Sequence, residues 1–503
     1  MTGPPVSNDP VARARMMLQA GQWAAARFRA YDHGSVRNIV AGVARAGHEH
    51  ATALAKATVE ETGYGVAEDK ATKNRIASLG IAEHYDGDDF VTPRVDAQHR
   101  IVEVPKPAGV IFALIPSTNP VSTLYFKVIL ALMTRNAVVV SPHPGARQVC
   151  MDACALLRDA ALQAGAPRGT IQIVDEPSIP LIEALMGDPH TNVILATGGT
   201  GVVRAAYQSG TPAIGVGPGN APVMVDRTAD AAAAAKDLVD SKAFDNSLLC
   251  SAESVLIADA EIAKRLTAEL TRAGAHICAP EETERLRSYL FPDGHLNLEA
   301  VGQSAATVAR SAGIRTSTRT RLLVTPLALV IPEEPLASEK MCPVLGLNIQ
   351  PDPGAAIRAA RAVLRVAGAG HSAAIHSNDP DVVIAFSEAL DVLRVVVNAP
   401  NSTGVAGFDT NVAPTMTVGT GFTGRSSLGE NLEPRHLVNW SRVAYNKNEA
   451  IAFPDFEALR PWERIFKPQG IPHVEETTDA SQELREQIRQ LVLEELRDLV
   501  GSR

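Results

Sequence analysis

The sequence predicts an α/β fold built on two mainly parallel sheets. Three observations carry that prediction. Short apolar runs alternate with helix-length amphipathic segments from 101 onward, and the alternation restarts after an alanine-rich helix at 229–243. The chain has 503 residues, room for two to four domains of about 100–200 residues each.

Taken in order, the first hundred residues have helical period over 10–31, 34–62 and 65–86, with Ala, Leu, Ile and Val recurring at threes and fours. Strands follow at 101–104, 110–115, 137–141, 171–174 and 192–197. Helices at 121–133, 147–164, 179–186 and 201–207 separate or close them. The second set comprises helices 229–243, 261–272 and 355–366 with strands 253–257, 321–330, 373–376 and 394–398. Gly, Thr and Ser dominate 398–431, which reads as an ordered loop. A proline-broken stretch at 454–472 precedes a charged segment, 478–500, whose Leu484, Ile488, Leu491, Val492, Leu496 and Leu499 share one helical stripe.

Composition excludes several classes. A hydrophobic fraction of 46% with 20% charged residues is that of a globular protein rather than a disordered one. A net charge of −9 and 4% aromatics argue against a nucleic-acid partner. Five scattered cysteines make no disulfide framework, and Cys150 and Cys154 have no second ligand pair nearby, so no metal site is expected. No apolar run approaches the ~20 residues that span a bilayer, and the start of the chain lacks a basic-then-apolar leader. The expectation is a cytoplasmic protein with no membrane partner.

Candidate chemistry clusters at strand ends. Cys250 lies between a helix and a strand, where backbone amides can lower a thiol pKa, or where a small core residue simply fits. Thr197-Gly198-Gly199 follows a strand and opens a helix, which suits either an anion or a tight turn. Asn119 sits between Thr118 and Pro120 at a strand end, placed to donate into a cleft or to close an Asx turn. His143, in Ser141-Pro142-His143-Pro144, fits a base, a phosphate contact or a turn cap. Cys342 reads as core filler, and His371 and His376 as packing or loop residues.

Each signal is weak alone, but their order is specific. Val104–Val110, Ile115–Asn119–Pro120, Ser141–Pro144, Ala196–Gly199, Ala213–Asn220, Asp245–Cys250, Ser338–Pro343 and Ala413–Asn431 succeed one another as in the aldehyde dehydrogenase superfamily. Residues 10–445 resemble its CoA-acylating branch, the acetaldehyde, propionaldehyde and sulfoacetaldehyde dehydrogenases. The resemblance implies two doubly wound Rossmann-type domains, an oligomerisation flap and a C-terminal amphipathic helix. The expected boundaries are 1–235 for an NAD-binding domain with its flap near 90–106, and 236–430 for a catalytic domain. A return segment at 431–450, a linker at 451–477 and the tail 478–503 complete the chain.

The same resemblance implies Cys250 as nucleophile, with Asn119 and the Cys250 amide as oxyanion hole. It places Thr197, Gly198, Gly199 and Gly217 at the cofactor and Ser141, Pro142 and His143 at its adenosine ribose. Glu339 would hold the nicotinamide ribose, although Lys340-Met341-Cys342 departs from the usual aromatic–Gly pattern. Hydrolytic members carry a water-activating glutamate where this chain has Gly217-Pro218-Gly219. Lacking it, the thioester needs a better nucleophile than water, and the CoA thiol fits. The implied reaction joins a short-chain aldehyde, NAD (or NADP) and coenzyme A to give an acyl-CoA.

Three alternatives accompany that reading: a hydrolytic enzyme using Glu253 as base, an acylating enzyme for an anionic aldehyde such as sulfoacetaldehyde drawn by Arg425, and a non-catalytic scaffold. Leu124–Phe126, Leu248–Leu249 and 401–408 are the expected aldehyde-pocket segments. A homodimer or homotetramer is expected through 90–106 and 432–447. The tail 478–503 suits an ordinary helix docked on its own subunit or a dimer partner, and it also resembles tags that lead such enzymes into bacterial microcompartments.

Overall fold

The computed structural model describes residues 9–456. The predicted tail helix and most of the predicted linker lie outside the described residues.

The chain opens with helices at Pro10–Phe28, His33–Glu49 and Ala51–Thr62. Asp9 caps the first through its carboxylate and Asp32 caps the second at Ser35 N, 2.7 Å. The predicted continuous helix over 34–62 is therefore two, because His50 (φ −98°, ψ 4°) leaves helical geometry. Helix Ala67–Arg75 follows and presents Lys70 and Lys73, both buried, on one face.

Strands β1 (Arg94–Asp96) and β2 (Ile101–Pro107) precede β3 (Val110–Ile115), β4 (Ala137–Pro142), β5 (Ile171–Ile173), β6 (Val193–Thr197) and β7 (Ala213–Val216). The last five form a parallel sheet in the order β5-β4-β3-β6-β7. Residues of β3 and β4 are buried on both faces, which is why these strands read as continuous apolar runs.

A second parallel sheet has seven strands. They are β8 (Ala221–Val225), β9 (Glu253–Asp259), β10 (Ala275–Ile277), β11 (Leu322–Pro326), β12 (Val344–Gln350), β13 (Ala373–His376) and β14 (Val395–Val397). Their order is β10-β11-β12-β9-β8-β13-β14. Alternate residues of its strands enter two separate cores: Met224, Val255, Ile257 and Leu323 on one face, Val223, Val225, Leu256 and Leu322 on the other. The change of sheet falls at 217–220, between β7 and β8, ahead of the expected boundary at 235. Flanked by Gly217-Pro218-Gly219, these two short strands are hidden in the sequence inside what reads as a glycine turn.

The segments expected to form the flap do meet. β1, β2 and β15 (Val438–Ala444) make a three-stranded antiparallel sheet, in register from Ile101 opposite Ala444 to Pro107 opposite Val438. Trp440 carries the Arg94 guanidinium 4.0 Å from its ring centre.

The glycine-rich segment 413–431 has little regular structure, so its carbonyls need side-chain donors. Arg394 supplies them. Its guanidinium donates to Gly419 O (2.7 Å), Gly429 O (2.8 Å), His371 O (3.0 Å) and Asn431 Oδ1 (2.7 Å). Burial pulls its pKa down to about 10, which leaves it charged at neutral pH. Arg394→Met would strand these buried acceptors, and a loss of about 3 kcal/mol or more is expected, because each unsatisfied group costs roughly 1–3 kcal/mol. Thermal melts check this: a Tm within about 2 °C of wild type would contradict the role assigned to Arg394, since a loss of that size moves a large domain by several degrees.

Candidate active site

In the first sheet the strand order reverses direction between β3 and β6, and such switch points open a crevice beyond the strands' carboxyl ends. The predicted residues emerge there. Asn119 follows β3, His143 follows β4, and Gly198 and Gly199 follow β6. Facing them is the loop that enters β9 at its amino end and carries Leu248, Leu249 and Cys250. Together with Thr197, Gly217, Pro218, Glu339 and Met341 they line one cavity of about 290 Å³. Ser141 and Pro142 end β4 beside it but are buried rather than lining the cavity.

Close backbone packing shapes the loop that carries Cys250. A Cβ at Gly219 would run into the Cys250 carbonyl, so only glycine permits that approach. Asp245, Asn246 and Ser247 hold consecutive positive φ values of 47°, 52° and 67°, a strained turn just before Cys250.

Cys250 is half-buried, whereas the other four cysteines are buried. Its Sγ lies 3.1 Å from Nε2 of His371, a contact across 121 residues of sequence. His371 is fully buried, and its Nδ1 is 2.9 Å from Ser372 Oγ. Expected from the sequence to be a packing or loop residue, His371 instead sits against the Cys250 thiol. A lone histidine before a strand carries no local signal for such a role.

The electrostatics also differ from expectation. Instead of being lowered, the Cys250 thiol is pushed up to about 12, by burial and then by the Glu339 carboxylate, against the bonds from backbone amides. Burial and the Arg394 charge pull His371 down to about 3. At neutral pH the pair is therefore a neutral thiol against a neutral imidazole. Burial likewise lifts the Glu339 carboxyl to about 7, although Lys242, Lys340 and the Gly219 amide oppose it.

Asn119 donates from Nδ2 to Leu248 O, 2.9 Å, and its Oδ1 accepts from the buried Lys73 ammonium. Lys73 is a second feature the sequence left unread. Glu253, the base a hydrolytic reading needs, is fully buried, accepts from Asn401 N (2.9 Å) and does not line the cavity. Nor does Arg425, or any residue of Leu124–Phe126, whose helix Pro120–Met133 is buried all round.

A dinucleotide fits the cleft's other half. No atom lies within 4 Å of a Cβ built at Gly199 or Gly217, so backbone there faces open space. Helix Thr200–Gln208 starts at Gly199 with no side-chain cap, which leaves its first amides for an anion. Thr197 Oγ1 and Ser141 Oγ are buried polar atoms without a protein partner. His143, whose pKa partial desolvation pulls below the usual imidazole value, accepts from Gly145 N at 3.0 Å. In the cluster His276–Cys278–Glu282, which is partly buried, Glu282 Oε2 lies 2.9 Å from His276 Nε2 and accepts from Ala279 N at 2.9 Å, capping helix Pro280–Leu290.

Comparison with known proteins agrees with this geometry. The aldehyde dehydrogenase family pattern matches residues 6–284, more than half of the chain. The chain belongs to the aldehyde dehydrogenase family. It is 37% identical over 434 residues to an aldehyde-alcohol dehydrogenase of Clostridium acetobutylicum, covering 85% of this chain and 50% of that one. The chain thus spans about half the length of that relative. A succinate-semialdehyde dehydrogenase (acetylating) of Clostridium kluyveri is 36% identical, with 88% and 98% covered. Among solved structures, an acetylating aldehyde dehydrogenase from Geobacillus thermoglucosidasius superposes with TM-score 0.86 at 36% identity, covering 88% and 98%. A propionaldehyde dehydrogenase of Rhodopseudomonas palustris, solved with CoA and an acylated cysteine, gives 0.79 at 28%, covering 86% and 97%. Another, from a Clostridium phytofermentans microcompartment, gives 0.79 at 30%, covering 86% and 97%.

The raised thiol has a measurable consequence. Below its pKa the thiolate fraction grows about tenfold per pH unit, so alkylation of Cys250 by iodoacetamide should climb steadily from pH 6 to 10. A rate that levels off near pH 7 would show a preformed thiolate–imidazolium pair instead.

Proposed function

We propose that this enzyme converts a neutral short-chain aldehyde and coenzyme A to the acyl-CoA, with NAD as oxidant. The observation that carries the reading is the Cys250–His371 contact in a cavity whose 217–219 wall holds no carboxylate. Two relatives named as acetylating enzymes and one neighbour with bound CoA and an acylated cysteine support it.

The steps follow from the side chains. Cys250 passes its proton to His371 Nε2 as its sulfur bonds the aldehyde carbon, and the carbonyl π electrons move onto oxygen. Asn119 Nδ2 and the Cys250 amide donate to that oxyanion. Thr197, Gly198, Gly199, Gly217 and Glu339 would hold NAD, with Ser141, Pro142 and His143 at its adenosine ribose. When bound, NAD supplies the hydride acceptor that leaves Cys250 as a thioester. His371 gives up the first proton to solvent and then takes that of the CoA thiol, whose sulfur attacks the acyl carbon, and Cys250 departs and recovers a proton from His371. Water is a poor competitor because no general base stands where the hydrolytic glutamate would.

Substrate and cofactor choice rest on what lines the walls. Leu248, Leu249, Met341, Met416 and Val418 are apolar, and among the described residues no Lys or Arg lines the cavity, so an anionic aldehyde would lie uncompensated. After β4 the first cation is Arg147, whose Nε donates to Asp175 O, and a 2′-phosphate would lack a ready partner. That favours NAD over NADP.

Assembly into a dimer or tetramer through the β1-β2-β15 sheet fits a small antiparallel sheet with an exposed edge strand. The tail 478–503, by its amphipathic sequence, would serve as a docking helix for microcompartment cargo or shell, as the source of one neighbour suggests.

Two measurements test these readings. With aldehyde and NAD, wild-type enzyme should release NADH continuously only when CoA is present and about one equivalent per site without it, while Cys250→Ala releases none. Steady NADH without CoA would identify a hydrolytic enzyme. Light scattering of the full chain and of a chain ending at 477 should give the same dimer or tetramer. A monomer from either would overturn the flap or the detachable tail.

A further inference from the structure

A buried ion cluster beside the site is not used by the reaction as written. Asp245 is fully buried, Lys73 is 1% exposed and Lys70 is 3% exposed. Asp245 Oδ2 accepts from both ammonium groups, at 3.0 Å for Lys70, and Oδ1 accepts from Val66 N at 2.7 Å. The Asp245 amide donates to Asp69 Oδ2, 2.7 Å. A Cβ at Gly65 would strike the Asp245 carboxylate, so the backbone at 65–66 is wrapped tightly round it. Taking such charges out of water costs several kcal/mol each, so the cluster needs every one of these contacts. Burial and the neighbouring Lys73 pull Lys70 down to about 8.

The cluster reaches the chemistry through its outer bonds. Lys70 donates to Thr118 O at 3.0 Å, and Lys73 donates to Asn119 Oδ1. Resting on the acylating reading above, we infer that Lys73 is a positioning residue for the oxyanion donor. Held by Asp245, it orients and polarises the Asn119 side-chain amide.

The reason lies in amide symmetry. A carboxamide turned by 180° keeps its shape but exchanges donor for acceptor. An ammonium only donates, so Oδ1 must face Lys73 and Nδ2 must face Leu248 O and Thr118 Oγ1. A flipped amide would set NH₂ against the ammonium and oxygen against the Leu248 carbonyl, two repulsions in a desolvated site. A positive charge on Oδ1 also draws electron density from the nitrogen, which strengthens its N–H as a donor to a developing oxyanion. The same Asp245 belongs to the strained turn 245–247 before Cys250, so one carboxylate ties donor and nucleophile loop together.

The test is a double-mutant cycle on the full-length enzyme, read as the rate of the first NADH turnover with propionaldehyde at saturating NAD and CoA. Asn119→Ala and Lys73→Met should each slow it on the order of 10²-fold, with NAD affinity changed less than about threefold. In the Asn119→Ala background, Lys73→Met should cost little more, because its target is gone. Lys73→Gln, which keeps a donor but no charge, should fall between wild type and Lys73→Met. Losses that multiply in the double variant, or a Lys73→Met rate equal to wild type, would overturn the assignment. If Lys73→Met does not fold, the Lys73→Gln cycle decides by the same criterion. Failure of the acylating reading is distinguishable, since wild type itself would then form no acyl-CoA.

Discussion

Strand β8 pairs in parallel with β9 on one side and β13 on the other, and the site depends on that neighbourhood. Parallel strands enter from the same end, so the loops feeding β9 and β13 arrive side by side. One delivers Cys250 and the other His371, and the 3.1 Å contact between them follows. β8 itself is wholly buried, which pins its register: a one-residue slip would turn Val223 and Val225 out of one core and into the other.

Desolvation is the second organising fact. Removing water keeps Cys250 protonated and His371 neutral, so the resting site carries no exposed thiolate to be oxidised or alkylated. It also makes each fixed dipole aimed at the reacting oxygen stronger than it would be in water. The same dryness demands compensation for every buried charge, which Arg394 finds in carbonyls of a glycine-rich loop and Lys73 in Asp245. Function and stability thus draw on one set of contacts.

The fold's local parts were largely legible. Strand Val110–Ile115 and strand Ala373–His376 are where the apolar runs place them, and helix Pro120–Met133 starts at the proline after Asn119. Less legible were β7 and β8, too short and too close to glycines, and β12, whose Gly346 interrupts an otherwise apolar run. Cys250, Asn119, Thr197–Gly199, Gly217, Glu339 and His143 do share a cavity, because each sits at a strand end or a turn and such positions converge in doubly wound sheets.

By itself the sequence determined the order of motifs, the two parallel sheets, and the missing carboxylate at 217–219, all of which are properties of neighbouring residues. Only the tertiary structure decided that His371 faces the thiol, that the thiol is raised rather than lowered, and that Lys73 faces Asn119. These are through-space facts. A pKa depends on how much water packing removes and which charge it leaves nearby, and neither is written in the residues adjacent to Cys250.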